Sequence, residues 1–102
     1  MIRRIVLFMR KSDANEDAFR EAVNGLVSLD ERVPGICSWW VAVDAGKEGF
    51  WDAALVADFE DSVALANYND HPEHVAVATV ISGVSEFAVF DSEIADVNQE
   101  RG

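Results

Sequence analysis

The stretch ICSWWVAVDAGKEGFWDAALVADF, residues 36–59, decides the fold. Two runs rich in aromatic and β-branched residues, 36–44 and 50–59, flank the turn-forming segment AGKEG. Such a pattern predicts two strands joined as a β-hairpin. The segments on either side of this hairpin then determine which fold contains it.

The residues before the hairpin predict one strand and one helix. The segment IRRIVLFMR, residues 2–10, is apolar on both faces at its centre, which suits a strand covered on two sides. Apolar residues then recur at helical spacing to about residue 32, and VPGI ends the helix. The residues that can cap its start are Ser12, Asp13 and Asn15.

The residues after the hairpin predict a helix in two pieces and a last strand. EDSVALANY forms the first piece, with Asp61 or Ser62 as its cap. It ends before Pro72, since proline pushes the preceding residue out of the α region. Pro72 then opens the second piece, PEHVAVATVI, and residues 84–91 form the strand.

The predicted order is β-α-β-β-α-β, which is typical of the split βαβ, ferredoxin-like plait, an α+β fold. It gives a four-stranded antiparallel sheet with the helices on one face. The opposite face carries an apolar first strand and tryptophans at 39, 40 and 51 on or beside the middle strands. A face that apolar is not left in water, so we expect a second copy to cover it and form a homodimer.

Composition excludes several classes of partner. The chain has 102 residues, half of them hydrophobic, and a net charge of −11. The length indicates one domain, which we place at residues 1–92 with a loose tail at 93–102. The negative charge argues against nucleic acid and against an anionic membrane surface as partners.

The N-terminus and the lack of a long apolar run suggest a soluble cytoplasmic protein. The N-terminus lacks the long apolar segment of a signal peptide, and no apolar run is long enough to span a bilayer. The single cysteine, Cys37, lies in an apolar run, which favours a buried, inert thiol.

The stretch NYNDHPEHVAVA, residues 67–78, holds both histidines and the only tyrosine. Tyr68 and His74 can point together into the space between helix and sheet. There an imidazole could take a proton near neutral pH and a phenol could donate a hydrogen bond to an enolate oxygen. The alternative is that both are core residues with satisfied polar tips.

A metal site is the weaker interpretation of the same stretch. His71 and His74 are three residues apart, but Pro72 places His71 at a helix start and no third imidazole exists. His71 is then a helix cap or a surface residue, and we expect no metal. The three tryptophans are more typical of core or interface than of a ligand platform.

These motifs resemble those of the stress-responsive α/β-barrel family, the Dabb proteins, over about residues 1–92. The similar segments are the opening IRRIVLFMRK, the VPGI turn, the strand WDAALVADFED, the helix ALANYNDHPEHVAVA and the closing FAVFD. The resemblance implies a ferredoxin-like plait that pairs into a dimeric α/β barrel. Most members of the family have no assigned activity.

One branch of the family, the olivetolic acid cyclase type, is similar at the helix motif. It closes a linear polyketide by an intramolecular aldol condensation with no metal or organic cofactor. The resemblance implies that Tyr68 and His74 are the catalytic pair. His74 would remove a proton alpha to a carbonyl, and Tyr68 would hold the substrate and stabilise the enolate.

The chain departs from the family at two positions where members often have histidine, here Arg4 and Ala53. Arg4 could pair with the carboxylate of an aromatic or polyketide acid, or with one of the protein's own acids. The residues expected to line the ligand cavity are Arg4, Val6, Phe8, Val23, Leu26, His71, Val77 and Ala78. They could equally close the core and leave no cavity.

Three functions remain open at this point. The first is a cofactor-free acid–base enzyme such as a polyketide cyclase. The second is a dimeric stress or ligand-binding protein without chemistry. The third is a monooxygenase, cofactor-free or haem-dependent, for which only His74 could be an axial ligand.

Overall fold

Four strands form one antiparallel sheet in the computed structural model, which describes residues 1–46 and 48–94. Their order across the sheet is β2-β3-β1-β4. The strands are β1 (Ile2–Arg10), β2 (Ile36–Val43), β3 (Ala53–Phe59) and β4 (Ser85–Glu93). The two apolar central strands are thus β3 and β1, and the predicted hairpin of β2 with β3 is confirmed.

Three helices connect the strands and cover one face of the sheet. They are α1 (Glu16–Asn24), α2 (Ser62–Asp70) and α3 (Pro72–Ser82). Helix α1 packs against α3, while α2 and α3 also contact the sheet. The order of elements is the ferredoxin-like α+β plait that the sequence predicts. No helix in the described ranges is long and apolar enough to cross a membrane.

Side-chain caps fix where the helices begin. The Asn15 side chain accepts hydrogen bonds from the backbone N–H groups of Asp17 and Ala18, at 2.7 and 3.2 Å. Asp61 accepts one from Ala64 at 2.9 Å. Of the capping residues that the sequence offers, Asn15 and Asp61 are therefore the ones used.

The first helix is shorter than the sequence predicts. It ends at Asn24 and not near residue 32, and a separate 3₁₀ turn follows at Leu29–Arg32. After Gly25 the backbone bonds tighten, with Leu26 N–H donating to the Val23 carbonyl and Leu29 N–H to that of Leu26. The apolar spacing continues through this change, because Leu26 and Leu29 are both buried.

Cys37 is exposed, and the prediction of a buried thiol is wrong for this chain. It lies in the edge strand β2, where the register shifts between Ile36 and Ser38. An irregularity of this kind turns a side chain out of the regular alternation. The predicted tail at 93–102 begins within the last strand, and residues 95–102 lie outside the described residues.

The face opposite the helices carries two apolar rows that cross all four strands. Trp40, Val56, Ile5 and Phe90 are successive cross-strand partners, and so are Ala42, Ala54, Leu7 and Ala88. Trp40 is 55% exposed and Phe90 62% exposed. We call this surface the outer face; an apolar surface of this kind is typical of an interface.

A polar row borders the apolar rows of the outer face. Arg3 donates two hydrogen bonds to the carboxylate of Asp58, at 2.8 and 2.9 Å, and Ser38 donates a third at 2.7 Å. These bonds hold the pKa of Asp58 below its usual value, with the Arg3 hydrogen bonds the largest cause. Asp58 is therefore ionised although it is almost fully buried.

Gly35 is expected to be needed for the connection into β2. Its φ is +88°, and a Cβ placed there would lie 2.8 Å from the Cβ of Ala64. We expect Gly35→Ala to lower the free energy of unfolding by about 2 kcal/mol, from left-handed strain and overpacking. Urea denaturation measures the change.

Gly46→Ala is the matched control. A Cβ at Gly46 meets no atom within 4 Å. Its effect should stay within about 0.5 kcal/mol, as for ordinary surface changes. Equal effects of the two substitutions would contradict the argument from the backbone of Gly35.

Candidate active site

A cavity of about 260 Å³ lies between the helix-covered face of the sheet and the helices. It opens beside β4, where the wall residues Phe87 and Val89 are half exposed. Its wall is mostly apolar. The residues that line it are Arg4, Val6, Phe8, Leu26, Leu55, Tyr68, His74, Ala78, Ile81, Phe87 and Val89.

The cavity brings together most of the residues that the sequence singles out. Seven of them line it: Arg4, Val6, Phe8, Leu26, Tyr68, His74 and Ala78. Three lie elsewhere. Val23 is a buried residue of α1. Val77 faces the groove between α1 and α3, and His71 caps α3.

Four lining residues were not anticipated: Leu55, Ile81, Phe87 and Val89. Three of them could have been found by alternation along the strands. Leu55 and Val89 are both cross-strand partners of Val6, and Phe87 is the partner of Phe8. Since partners in an antiparallel sheet share a face, the register of β1 with β3 and β4 places them in the same wall as Val6 and Phe8. Ala53, the second departure from the family pattern, is buried on the same face opposite Phe8.

Tyr68 occupies the inner end of the cavity. Its side chain is 2% exposed, and its ring lies 5.0 Å from that of Phe59 and 4.2 Å from that of His74. Burial raises the pKa of the Tyr68 phenol to about 12, although the positive charge of Arg4 acts in the opposite direction. The phenol is therefore a neutral hydrogen-bond donor throughout the physiological range.

His74 is held in one tautomer by a backbone carbonyl. Its Nδ1 lies 3.1 Å from the carbonyl oxygen of Asn69, which can only accept a hydrogen bond. Nδ1 must then carry the proton, so the neutral ring presents an unprotonated Nε2. Burial lowers the pKa of His74, and the charge of Arg4 adds to this effect, while the hydrogen bond to Asn69 opposes it. The ring is thus a neutral potential base at pH 7.

The Asn69 carbonyl is available because α2 and α3 are separate helices. In a continuous helix it would accept from the N–H of residue 73. Here that N–H donates to Nδ1 of His71, the cap of α3, at 3.1 Å. The break at His71 and Pro72 thereby leaves a carbonyl for His74.

Arg4 is hydrogen-bonded to side chains of the protein itself. Its guanidinium donates to both carboxylate oxygens of Asp91, at 2.8 and 3.0 Å, and to the side-chain oxygen of Asn69 at 2.8 Å. Arg4 and Asp91 are direct cross-strand partners of β1 and β4. Of the two roles that the sequence left open for Arg4, the geometry favours the internal ion pair.

A metal centre has no ligand set in the described part of the chain. No three residues among its histidines, cysteines and acids come together as ligands there. Nδ1 of His71 is occupied in capping α3, and Nδ1 of His74 faces a carbonyl. The two histidines therefore have different local roles, since His71 caps α3 and His74 lines the cavity.

The family model that matches the chain is described as the stress responsive A/B barrel domain, Dabb, and it covers residues 2–97. This match confirms the resemblance inferred from the sequence motifs. A comparison with curated protein sequences gave no match.

Solved structures share the fold over nearly the whole chain. A dimeric ferredoxin-like protein of unknown function from Thermobifida fusca has 25% identity and a TM-score of 0.81, with coverage of 91% of this chain and 90% of that one. A hydroxynitrile lyase from Passiflora edulis has 17% identity and a TM-score of 0.79, with 93% and 94% coverage.

A more distant structure is SnoaB, a cofactor-independent oxygenase from Streptomyces nogalater. It has 13% identity and a TM-score of 0.74, and 93% of each chain is covered. At such identities the similarity of the lyase and the oxygenase establishes the fold alone. The assignment of activity must therefore come from the cavity.

His74 should titrate below the usual histidine value of about 6.5. We expect a midpoint below that value and an Nδ1–H neutral tautomer, because burial opposes the charged ring and the Asn69 carbonyl holds the proton. Nitrogen-15 NMR of the imidazole measures both. A midpoint at or above 6.5, or an Nε2–H tautomer, would contradict the environment described for this ring.

The same pKa shift predicts how stability depends on pH. Between the lowered pKa of folded His74 and about 6.5, the unfolded chain binds more protons, so the free energy of unfolding falls as pH falls through that interval. His74→Gln lacks this titration and should lose less stability between pH 7 and the lowered pKa. Parallel urea denaturation curves at several pH values provide the comparison.

Proposed function

The chain belongs to the stress responsive A/B barrel domain family, and from this premise we propose that its cavity is the active site of a cofactor-free enzyme. The enzyme performs acid–base chemistry on a small carbonyl compound, with ring closure of the polyketide-cyclase type as the reaction. The observation that carries the proposal is the pairing of Tyr68 with His74 in one apolar cavity, with their rings 4.2 Å apart.

His74 is the general base. Its Nε2 lone pair removes a proton from the carbon alpha to a substrate carbonyl, and the positive charge that forms on the ring is shared with the Asn69 carbonyl through Nδ1–H. The lowered pKa keeps the ring unprotonated before the reaction. A neutral base with a fixed orientation is what this step requires.

Tyr68 is the electrophilic partner. Its hydroxyl donates a hydrogen bond to the carbonyl oxygen as that oxygen gains negative charge in the enolate. Because the phenol pKa is about 12, the proton stays on Tyr68 and only a hydrogen bond is donated. The apolar wall of the cavity excludes water and strengthens this interaction.

Ring closure then needs no further group. The enolate carbon attacks a second carbonyl of the same molecule, so that one carbon–hydrogen bond breaks and one carbon–carbon bond forms. The new alkoxide takes the proton back from the His74 imidazolium, which returns the base to its starting state. No redox equivalent enters or leaves this sequence.

Two of the similar structures are enzymes, a hydroxynitrile lyase and an oxygenase. The oxygenase is described as cofactor-independent, so the fold is compatible with catalysis without a bound cofactor. The competing hypothesis is a dimeric protein that binds a ligand without converting it. Turnover decides between the two.

The outer face supports a homodimer as part of this proposal. The similar protein from Thermobifida fusca is described as dimeric. In the part of the chain that the structure describes, the apolar rows through Val56 and Leu7 lie on the side of the sheet that no helix covers. A second copy packed face to face would bury them. The cytoplasmic location expected from the sequence stays a prediction.

Hydrogen–deuterium exchange at a ketone tests the catalytic step without knowledge of the natural substrate. In D₂O, the enzyme should speed the loss of the α-proton NMR signal of methyl ketones and linear polyketide mimics. We expect His74→Ala to reduce the rate by at least about 10²-fold, as is usual for a general base. Tyr68→Phe should reduce it by about 10²-fold, as for one oxyanion donor.

His71→Asn is the matched control for that experiment. Asparagine can also cap α3, and His71 lies outside the cavity wall. Its rate should remain within about twofold of the wild type, a difference of less than 0.5 kcal/mol. An unchanged rate in a folded His74→Ala variant would refute the catalytic role, and no exchange by the wild type would favour the binding protein.

Val56→Asp should disrupt the dimer. The new carboxylate would be buried without a partner at the centre of the outer face, which is strongly unfavourable. Sedimentation equilibrium should give half the wild-type mass. Val63→Asp, in the exposed first turn of α2, introduces the same group and should keep the wild-type mass. A monomeric wild type would refute the proposed homodimer.

A further inference from the structure

We infer that the cavity selects uncharged carbonyl compounds and rejects their carboxylate counterparts, because its one cation is already neutralised by Asp91. The inference rests on the proposed function only in taking the cavity as the substrate site. It names the class of substrate, and it reverses the role of carboxylate anchor that the sequence suggested for Arg4.

The charges around the cavity cancel one another. Among the described residues that line the cavity, only Arg4 has a fixed charge, and its guanidinium is 2.8 and 3.0 Å from the two oxygens of Asp91. The hydrogen bonds from Arg4 lower the pKa of Asp91, so the carboxylate is ionised at neutral pH. Tyr68 and His74 are both neutral there. The wall together with Asp91 therefore carries no net charge.

The geometry of the ion pair between Arg4 and Asp91 leaves Arg4 poorly available to a ligand. The pairing is bidentate and between direct cross-strand partners, and a further N–H of Arg4 is bound by Asn69 at 2.8 Å. Three of the five guanidinium N–H groups are engaged, in the planar arrangement that a carboxylate ligand would need. A ligand carboxylate would have to displace Asp91 or share one cation with it.

A charged ligand loses favourable hydration when it enters the cavity. A carboxylate that enters the cavity loses its hydration against walls such as Val6, Phe8 and Val89. Without a free cation this desolvation is not offset. The net charge of −11 on the chain opposes the approach of anions at longer range as well. A neutral carbonyl group needs only the hydrogen bond that Tyr68 can donate.

The size of the cavity limits the class of ligand further. An apolar cavity of about 150 Å³ holds benzene, so the 260 Å³ here has room for one ring with a short substituent. The half-exposed Phe87 and Val89 at the mouth allow a longer chain to extend outward. The expected ligands are therefore neutral aryl or alkyl ketones and related uncharged carbonyl compounds.

Acetophenone and benzoate are a suitable pair of probes, since they are nearly equal in shape and differ in charge. Calorimetric titration of the wild type should show acetophenone binding at least tenfold more tightly than benzoate. Asp91→Asn retains the shape of the side chain but frees the charge of Arg4. It should lower this ratio at least tenfold, mainly by tighter benzoate binding.

Glu93→Gln is the control for net charge. It removes one negative charge from the same face of β4, and Glu93 lies outside the cavity wall. It should leave the ratio unchanged. Should Asp91→Asn prove unfolded, the double variant Arg4→Gln/Asp91→Asn removes both charges and should leave the ratio unchanged. A ratio at least tenfold higher in this variant would mean that Arg4 binds the carboxylate in the wild type, and it would overturn the inference.

Equal or tighter binding of benzoate by the wild type would overturn the inference, and so would binding of neither probe. A ratio that does not change in folded Asp91→Asn would also overturn it. These results are independent of the catalytic test. Loss of selectivity with His74-dependent exchange would leave the proposed enzyme standing, whereas selectivity without exchange would support a carrier of neutral ligands.

Discussion

The break between α2 and α3 is the constraint on which the candidate site depends. Pro72 has no N–H to donate, and the side chain of His71 takes the N–H of Glu73 as a helix cap. The Asn69 carbonyl, which a continuous helix would have used, is left for His74. The same two residues therefore end one helix, begin the next and fix the tautomer of the proposed base. The other histidine, His71, contributes to the site as the side-chain cap of α3 and does not line the cavity.

The parts of the fold that were predictable from the sequence are those with local signals. Pro72 and the capping residues Asn15 and Asp61 mark helix ends through their own chemistry, and the order of elements follows from them. The hairpin is visible as two β-rich runs around a turn. Tyr68 and His74 could be paired because they flank a helix break on the side that faces the sheet. Their positions in the cavity depend on little beyond that local geometry.

The features that the sequence did not predict depend on tertiary contacts. The partner of Arg4 is 87 residues away and is set by the register of β1 with β4. Val23 and Val77 are on apolar helix faces as expected, but the rotation of the helices turns them into the contact between α1, α3 and the sheet. Helix α1 ends early although its apolar spacing continues to Leu29, because a tighter turn can bury the same side chains. Neither register nor rotation is encoded in one segment alone.

Successive side chains of strand β1 face opposite sides of the sheet, so the strand contributes to the cavity and to the outer face in alternation. Arg4, Val6 and Phe8 face the cavity, while Ile5 and Leu7 belong to the outer face. Substitutions at even positions of this strand consequently change the pocket, whereas those at odd positions change the surface of the proposed homodimer.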